Sequence, residues 1–338
     1  MNALILGGTR FIGLATVKRL SELGCDVTVF HRGQTSNPLP SGVREITGER
    51  AHLGDFRDQF AKVKPDVVID MIALTEADGQ SLVDVFKGIA GRVVVISSCD
   101  VYRSYGRLIG TEPGPPEPMP LTEDSPLREK LFPYRGKIER LHDYDKILVE
   151  RAVMGHSDLP ATVLRLPMVY GPRDYQRRIF PYLKRMDDGR EFILIGKKIS
   201  AWRGCRAYVG NVADAIVMTA LDPRAARQIY NVAEPETLTE REWVDVVGLA
   251  AGWSGEILPI PDDSLPAHLR DDSDLAHELV VDSSRIRVEL GYSERVSRID
   301  AVRTTVEWDR ANPPAEVDPA QFDYAAEDET ARQFGPKP

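Results

Sequence analysis

Three observations predict an α/β fold: a Rossmann-type doubly wound parallel sheet with a smaller C-terminal substrate-binding domain. The chain opens with a strand, a glycine turn, a helix and a second strand inside its first 33 residues. Strand-like and helix-like segments then alternate to about residue 170, the pattern of a parallel sheet with helices on both faces. Beyond about residue 175 the elements become shorter and mixed.

Asn2–Leu6 (NALIL) reads as an apolar strand that ends in Gly7-Gly8-Thr9-Arg10-Phe11-Ile12-Gly13. The amphipathic stretch Leu14–Leu23, closed by Gly24, reads as a helix, and Asp26–Phe30 (DVTVF) as the next strand. In such a unit the glycine turn lets backbone N–H groups approach a pyrophosphate, and the helix N-terminus adds partial positive charge. Tight turns also need glycine for steric reasons. The order of the flanking elements is what makes this turn a candidate dinucleotide site.

Arg44–Thr47 then reads as a short strand, His52–Lys62 as a helix, and Asp66–Ile72 (DVVIDMI) as a buried strand. Gln80–Ile89 is the next helix and Arg92–Ser98 (RVVVISS) the next buried strand. A proline-rich insert, 105–133, has the composition of an ordered lid or a flexible loop. One helix over Glu139–Met154 leads into a strand over Ala161–Tyr170. Phe180–Met186 is spaced for one helix face, a core pattern, and Thr239-Glu-Arg-Glu242 is a capping box opening the helix that carries Trp243–Ala251. The division is a nucleotide-binding domain over 1–174 and a mostly substrate-binding domain over 175–310, part of which returns to the sheet. A tail over 311–338, rich in Pro, Ala and acids, is expected to be extended and partly tied down.

The 338 residues, 42% hydrophobic and 28% charged, suit a globular protein with a sizeable core. A net charge of −9 argues against a general nucleic-acid or anionic-membrane surface. No apolar run reaches the ~20 residues needed to span a bilayer. Met1 opens directly onto the first strand, so no signal peptide is expected. Cys25, Cys99 and Cys205 lack metal-ligand spacing and leave an odd count for pairing, and the six histidines form no metal cluster. These features together predict a cytoplasmic, reduced, metal-free protein.

With these residues placed, the chain resembles the short-chain dehydrogenase/reductase superfamily in its extended form, the NAD(P)-dependent epimerases and dehydratases. The turn Gly7–Gly13 is similar to the family's TGGxGFIG, and Ser97-Ser98-Cys99-Asp100-Val101-Tyr102 to its SSxxVYG. Lys146–Glu150 resembles the KxxxE of the active-site helix, Arg165–Pro172 the RPxNVYGP segment, and Arg206–Ala213 the RDFVYVDDVA segment. The resemblance implies a dinucleotide on Gly7, Thr9, Arg10, Phe11, Ile12 and Gly13. It implies that Glu49 and Arg50 flank adenine, that Ile72 and Ala73 face the adenosine ribose, and that Pro167 lines the nicotinamide pocket. Lys146 would hold the nicotinamide ribose, Ser98 would orient the substrate oxygen, and Arg206 would grip a nucleotide-sugar diphosphate, with Tyr170 beside the substrate. Plainer roles stand beside these: Lys146 paired with Glu150, Arg206 in a structural ion pair, and Asp100 as a loop cap instead of a second acid/base.

The chain departs from the family where its chemistry is made. The middle glycine of the turn is Arg10, and the acidic residue that accepts from the NAD ribose is replaced by His31-Arg32-Gly33. A guanidinium forks well onto a phosphate, so NADP is the expected cofactor, with NAD the alternative. The family's tyrosine lies four residues before the lysine, and here that position is His142. On a continuous helix Tyr144 would lie about 200° round from Lys146 and face away. The imidazole of His142 is one candidate acid/base; Tyr134 or Tyr105 from the insert is another. Met168 stands in place of a family asparagine.

The expected function is an NADP-dependent oxidoreductase, epimerase or dehydratase acting on a hydroxyl- or carbonyl-bearing small molecule of nucleotide-sugar type. The alternative is a non-redox NADP-binding or RNA-binding relative, as in the chloroplast stem-loop RNA-binding proteins. The acidic balance counts against RNA. Ile147, Leu148 and Val149 on the lysine-bearing helix are compatible with a homodimer packed through that helix, as in many family members.

Overall fold

The computed structural model describes residues 1–35 and 38–334. Its main sheet is built from β1 (Asn2–Leu6), β2 (Asp26–His31), β3 (Arg44–Thr47), β4 (Val67–Asp70), β5 (Arg92–Ser98), β6 (Ala161–Leu166) and a strand from the second half, Ile229–Asn231. These seven strands pair in parallel in the order Ile229–Asn231, β6, β5, β4, β1, β2, β3. The order reverses at β1, where Leu6 stands between Phe30 and Asp70. That reversal opens the crevice where such sheets bind ligands.

Both faces of the sheet are covered, so its strands read as continuous apolar runs. The alternation of side chains still sorts them into two cores. Ala3, Ile5, Val67, Ile69 and Val94 enter one, and Leu4, Leu6, Val68, Val93 and Val95 enter the other. Each fully buried aliphatic side chain contributes about 1.5–3 kcal/mol. The helices that supply the cover are α1 (Phe11–Glu22), α2 (Arg57–Val63) and α3 (Glu76–Phe86), then, past α4 (Arg103–Leu108), which packs in a separate cluster with Val101 and Tyr102, α5 (Lys146–Met154) and Val209–Leu221.

Several boundaries differ from expectation for local reasons. The helix expected over Glu139–Met154 is interrupted: a single turn spans Glu139–Leu141, and α5 starts only at Lys146. Asp145 takes an extended conformation (φ −159°) and caps α5, its carboxylate accepting from the Ile147 N–H at 2.9 Å. The strand expected over Ala161–Tyr170 is cut at Pro167. β6 ends at Leu166, and β7 (Met168–Tyr170) pairs instead with Arg206–Tyr208. α3 starts four residues before the expected Gln80, because Thr75 and Asp78 close a capping box there. The expected helix over His52–Lys62 divides into a 3-10 turn over Arg50–Phe56 and α2.

The second half packs α6 (Phe180–Asp187), Glu240–Ala251 and Arg298–Ala311 around Trp243, Tyr170 and Val302, beside a two-stranded sheet of Phe192–Gly196 and Glu256–Ile260. Thr239 and Glu242 form the expected capping box. The tail is not extended as expected: Tyr324–Phe334 is a helix, held by the fully buried Glu327. Residues 335–338 of that expectation lie outside the described ones. The insert packs on the body, with Leu121 fully buried and bridged to Val281.

Candidate active site at the ends of β4 and β5

The glycine turn is shaped by close packing. Gly7 sits at φ +88°, and a Cβ there would lie 2.6 Å from Ile72 Cγ2. A Cβ on Gly13 would collide with the Gly7 carbonyl oxygen, which fixes how near α1 can come to β1. The N-cap of α1 is Arg10, with no side chain capping the helix and no acid in its first turn. That N-terminus therefore presents uncompensated partial positive charge, a fit for a pyrophosphate. Arg10 reaches across to the segment after β2, its Nε donating to Thr35 Oγ1 at 3.2 Å. His31 is held by Glu45, Nε2 to Oε2 at 2.7 Å, while Arg32 beside it is exposed. Arg10, through Thr35, and Arg32 thus both lie by the end of β2.

Glu49 is exposed at the start of the turn before α2. Arg50 serves the scaffold: its guanidinium pairs with the fully buried Asp70 at 2.8 Å and donates to the Asp78 carbonyl and Ser81. Burial pushes the Asp70 carboxyl up against the pull of Arg50.

Lys146, the first residue of α5, is buried at the strand ends. Its Nζ donates to the Ala73 carbonyl at 2.6 Å and to the Ile96 carbonyl at 2.8 Å, so it bridges the end of β4 to β5. Burial lowers its pKa, with Asp100 and Asp70 opposing. Ser98 ends β5 half-buried and accepts from the Asp100 N–H at 3.2 Å.

Asp100 gathers three tyrosines. Its Oδ2 accepts from the Tyr144 hydroxyl at 2.7 Å and from the Tyr134 hydroxyl at 3.3 Å, and Tyr134 shares a 2.7 Å hydrogen bond with Tyr105. Burial pushes the Asp100 carboxyl up, and burial together with the Asp100 charge pushes all three phenols up.

Among the candidate acid/base groups, Tyr134 and Tyr105 stand in this cluster and His142 does not. His142 is half-exposed on the surface and faces Asp143 at 3.0 Å. The count of four residues assumed a helix that Asp145 interrupts. The same break brings Tyr144 inward to Asp100, where a continuous helix would have turned it away. The N-cap signal of an aspartate before Lys146 was readable in the sequence and would have found Tyr144.

Lys146 does not pair with Glu150, which is clasped by Arg165 at 2.8 Å and by the Ser97 hydroxyl at 2.5 Å. Tyr170 is 1% exposed; it packs on Trp243 and donates to Glu234, so it belongs to the core of the second half and not to an open substrate surface. Ile147, Leu148 and Val149 are buried within their own chain, which accounts for their apolarity without a partner subunit.

Arg206 stands apart from the strand-end cluster, in a cleft of about 490 Å³ in the second half. It is paired with Glu240 and lies over the Trp243 ring at 4.7 Å. Tyr182, Trp202, Arg178 and Met168 line the same cleft. Among the described residues no helix is long and apolar enough to cross a membrane.

A model of the NAD dependent epimerase/dehydratase family matches residues 3–233. The chain is 30% identical to the 2'-dehydrokanamycin reductase of Streptomyces kanamyceticus over 50% of its own length, but that match spans only 43% of the reductase. It is 26% identical to the dTDP-glucose 4,6-dehydratase of Streptomyces niveus, with 92% of this chain and 94% of the relative covered. The Bordetella bronchiseptica enzyme WbmG, solved in complex with NAD and UDP, has the same fold at a TM-score of 0.70 and 20% identity, covering 92% of this chain and 95% of that one. With its glycine turn, its buried Lys146 and a family match across two thirds of its length, this chain belongs to the NAD-dependent epimerase/dehydratase family.

Proposed function

We propose that the chain is an NADP-dependent oxidoreductase, of the epimerase, dehydratase or reductase kind, that acts on a hydroxyl- or carbonyl-bearing carbon of a nucleotide-linked small molecule. The observation that carries the reading is the placement of Lys146: a buried cation at the ends of β4 and β5, beside Ser98 and the Asp100 cluster. A nicotinamide dinucleotide, when bound, supplies the hydride acceptor or donor. The turn Gly7–Gly13 and the α1 N-terminus bind its pyrophosphate. Arg10 and Arg32 hold the extra phosphate of NADP. Lys146 turns from the backbone carbonyls of Ala73 and Ile96 to the nicotinamide ribose, with Ile72 and Ala73 facing the adenosine ribose and Pro167 lining the nicotinamide pocket. Ser98 already accepts from the Asp100 N–H, which leaves its own hydroxyl proton to orient a substrate oxygen. The second cleft, with Trp243, Tyr182, Arg178 and Arg206, suits a base and a diphosphate. That reading agrees with the UDP in the WbmG complex and the nucleotide-sugar substrate named for the S. niveus relative.

Calorimetric titration with NADPH, NADP, NADH and NAD tests this reading. Arg32→Ala is expected to weaken NADPH binding by about 10–100-fold, the worth of one charge-assisted contact, and to leave NADH binding within about twofold. Equal losses would make NAD the cofactor. Binding of none of the four would overturn the oxidoreductase reading in favour of a non-redox role.

A further inference from the structure

Resting on that reading, we propose that Asp100, and not a tyrosine, is the group in this site that takes up and releases a proton, and that Tyr134 is the catalytic relay between it and the substrate oxygen. The geometry sets out the path. Tyr105 and Tyr134 are half-buried and joined by their hydroxyls, and Tyr134 donates on to Asp100 Oδ2, which is buried. Tyr144, also buried, donates to the same oxygen from the other side. Asp100 Oδ1 is buried with no hydrogen-bond partner among the described residues. A carboxylate has about four acceptor positions, and this one has two donors on a single oxygen. Its negative charge is under-satisfied, a condition that favours protonation.

The phenols are in the opposite condition. Ionising Tyr134 or Tyr144 would place a second negative charge within 3.3 Å of the first. The Lys146 charge pulls the Asp100 carboxyl down, against burial, but its Nζ donates to the carbonyls of Ala73 and Ile96 and not to the carboxylate. Arg128 faces Asp100 through its backbone, Nε donating to the Asp100 carbonyl at 2.5 Å, and its charge is matched by Asp145 at 3.1 Å. Cys99, next in the chain, is buried and its thiol is pushed up by the neighbouring Cys205 and by burial. Burial pushes the Asp100 carboxyl up as well, in the direction the proposal needs.

In the oxidative direction the substrate O–H proton passes to Tyr134 Oη as the phenolic proton passes to the Asp100 carboxylate. The substrate C–H bond yields its electron pair as hydride to an oxidised nicotinamide dinucleotide, and the carbonyl forms. Tyr134 stays neutral throughout, Asp100 ends as a carboxylic acid, and Tyr144 is a positioning residue. Reduction runs the same transfers in reverse.

Carbon-13 NMR of protein labelled at the aspartate carboxyl carbons reads this without turnover. One carboxyl resonance, missing in Asp100→Asn, should titrate well above the usual ~3.9 of aspartate. In Tyr144→Phe it should move further up, because a donor to the anion is lost. If Asp100→Asn does not fold, the Tyr144→Phe displacement assigns the resonance. A titration in the ordinary range, or one that Tyr144→Phe leaves in place, overturns the proposal. With substrate, Tyr134→Phe and Asp100→Asn should each lower kcat by about 100-fold or more while dinucleotide affinity is kept. Turnover of Asp100→Asn within threefold of the parent overturns it too. A parent chain that binds no dinucleotide sinks the function proposed above, and the carboxyl titration still decides the role of Asp100.

Discussion

Arg165 and Arg185 are nearly withdrawn from solvent, at 2% and 3% exposure, and each is gripped by a buried glutamate. Arg165 meets Glu150 at 2.8 Å, joining β6 to α5, and also reaches the Glu123 carbonyl and the Tyr102 hydroxyl. Tyr102 passes the connection to Asn231, the last residue of the sheet's outermost strand on that side. Arg185 meets Glu327 at 2.6 Å, joining α6 to the helix Tyr324–Phe334, with His268 on the same carboxylate. The two pairs share one chemistry, but the first lies inside the sheet's cooperative unit and the second fastens an appendage to it. Burial of an ion pair therefore does not tell its structural weight; what the two partners belong to does.

The comparison breaks most visibly at Glu150. Glu150→Ala leaves Arg165 as an uncompensated charge in a place water cannot reach, and should cost about 3–5 kcal/mol of global stability. Denaturant unfolding followed by circular dichroism measures it, and a loss under about 1 kcal/mol would mean that the pair is not a tie. Glu327→Ala should act locally, because the tail helix can lift away and let Arg185 be hydrated. Hydrogen exchange should then show residues of Tyr324–Phe334 unprotected while the global midpoint moves by less than about 1 kcal/mol. A global loss as large as that of Glu150→Ala would put the tail inside the cooperative unit.

The smallest effect sharpens the contrast from a third pair. Asp309 faces Arg177 at 3.2 Å, yet burial, with Asp174 nearby, raises its carboxyl to about 6. A carboxyl whose folded pKa exceeds its unfolded value makes folding less favourable once it is ionised. The penalty is therefore present above pH 6 and is relieved as pH falls from about 6 toward 4. Asp309→Asn should raise the midpoint at pH 8 by an amount that solvent screening keeps near or below about 1 kcal/mol. The gain should vanish at pH 4, and a gain that is constant with pH would remove Asp309 from the titration.

The parts of the fold that were legible in the sequence are those governed by local repetition and steric need. Runs such as Val93–Ile96, and the Gly7 and Gly13 turn, admit few alternatives, and β1, β3 and β5 have the expected bounds. The parts that were hidden depend on a partner far along the chain or on a single cap. Asp145 redirects a whole segment because its carboxylate finds Arg128, Phe132 N–H and Ile147 N–H together. No periodicity reports that meeting. Tyr144 escapes the sequence reading for the same reason, and the tail helix does because its acidic face is matched by Arg185, Arg190 and His268, far away in the chain. Lys146 was legible from its motif, whereas Arg50 carried a motif position and went to Asp70 instead. A cation's destination is set by which buried carboxylate lies in reach, which sequence spacing does not record.

The fastening of Arg185 by Glu327 also has a meaning in time. The two residues are 142 positions apart, and chains are made at roughly 5–20 residues per second. For about 7–28 s on that scale, α6 exists in the nascent chain while the carboxylate that will neutralise it has yet to be synthesised. The wall of the cleft that Arg185 lines is thus completed only after the six sheet strands that precede α6 have been made and have had time to pair.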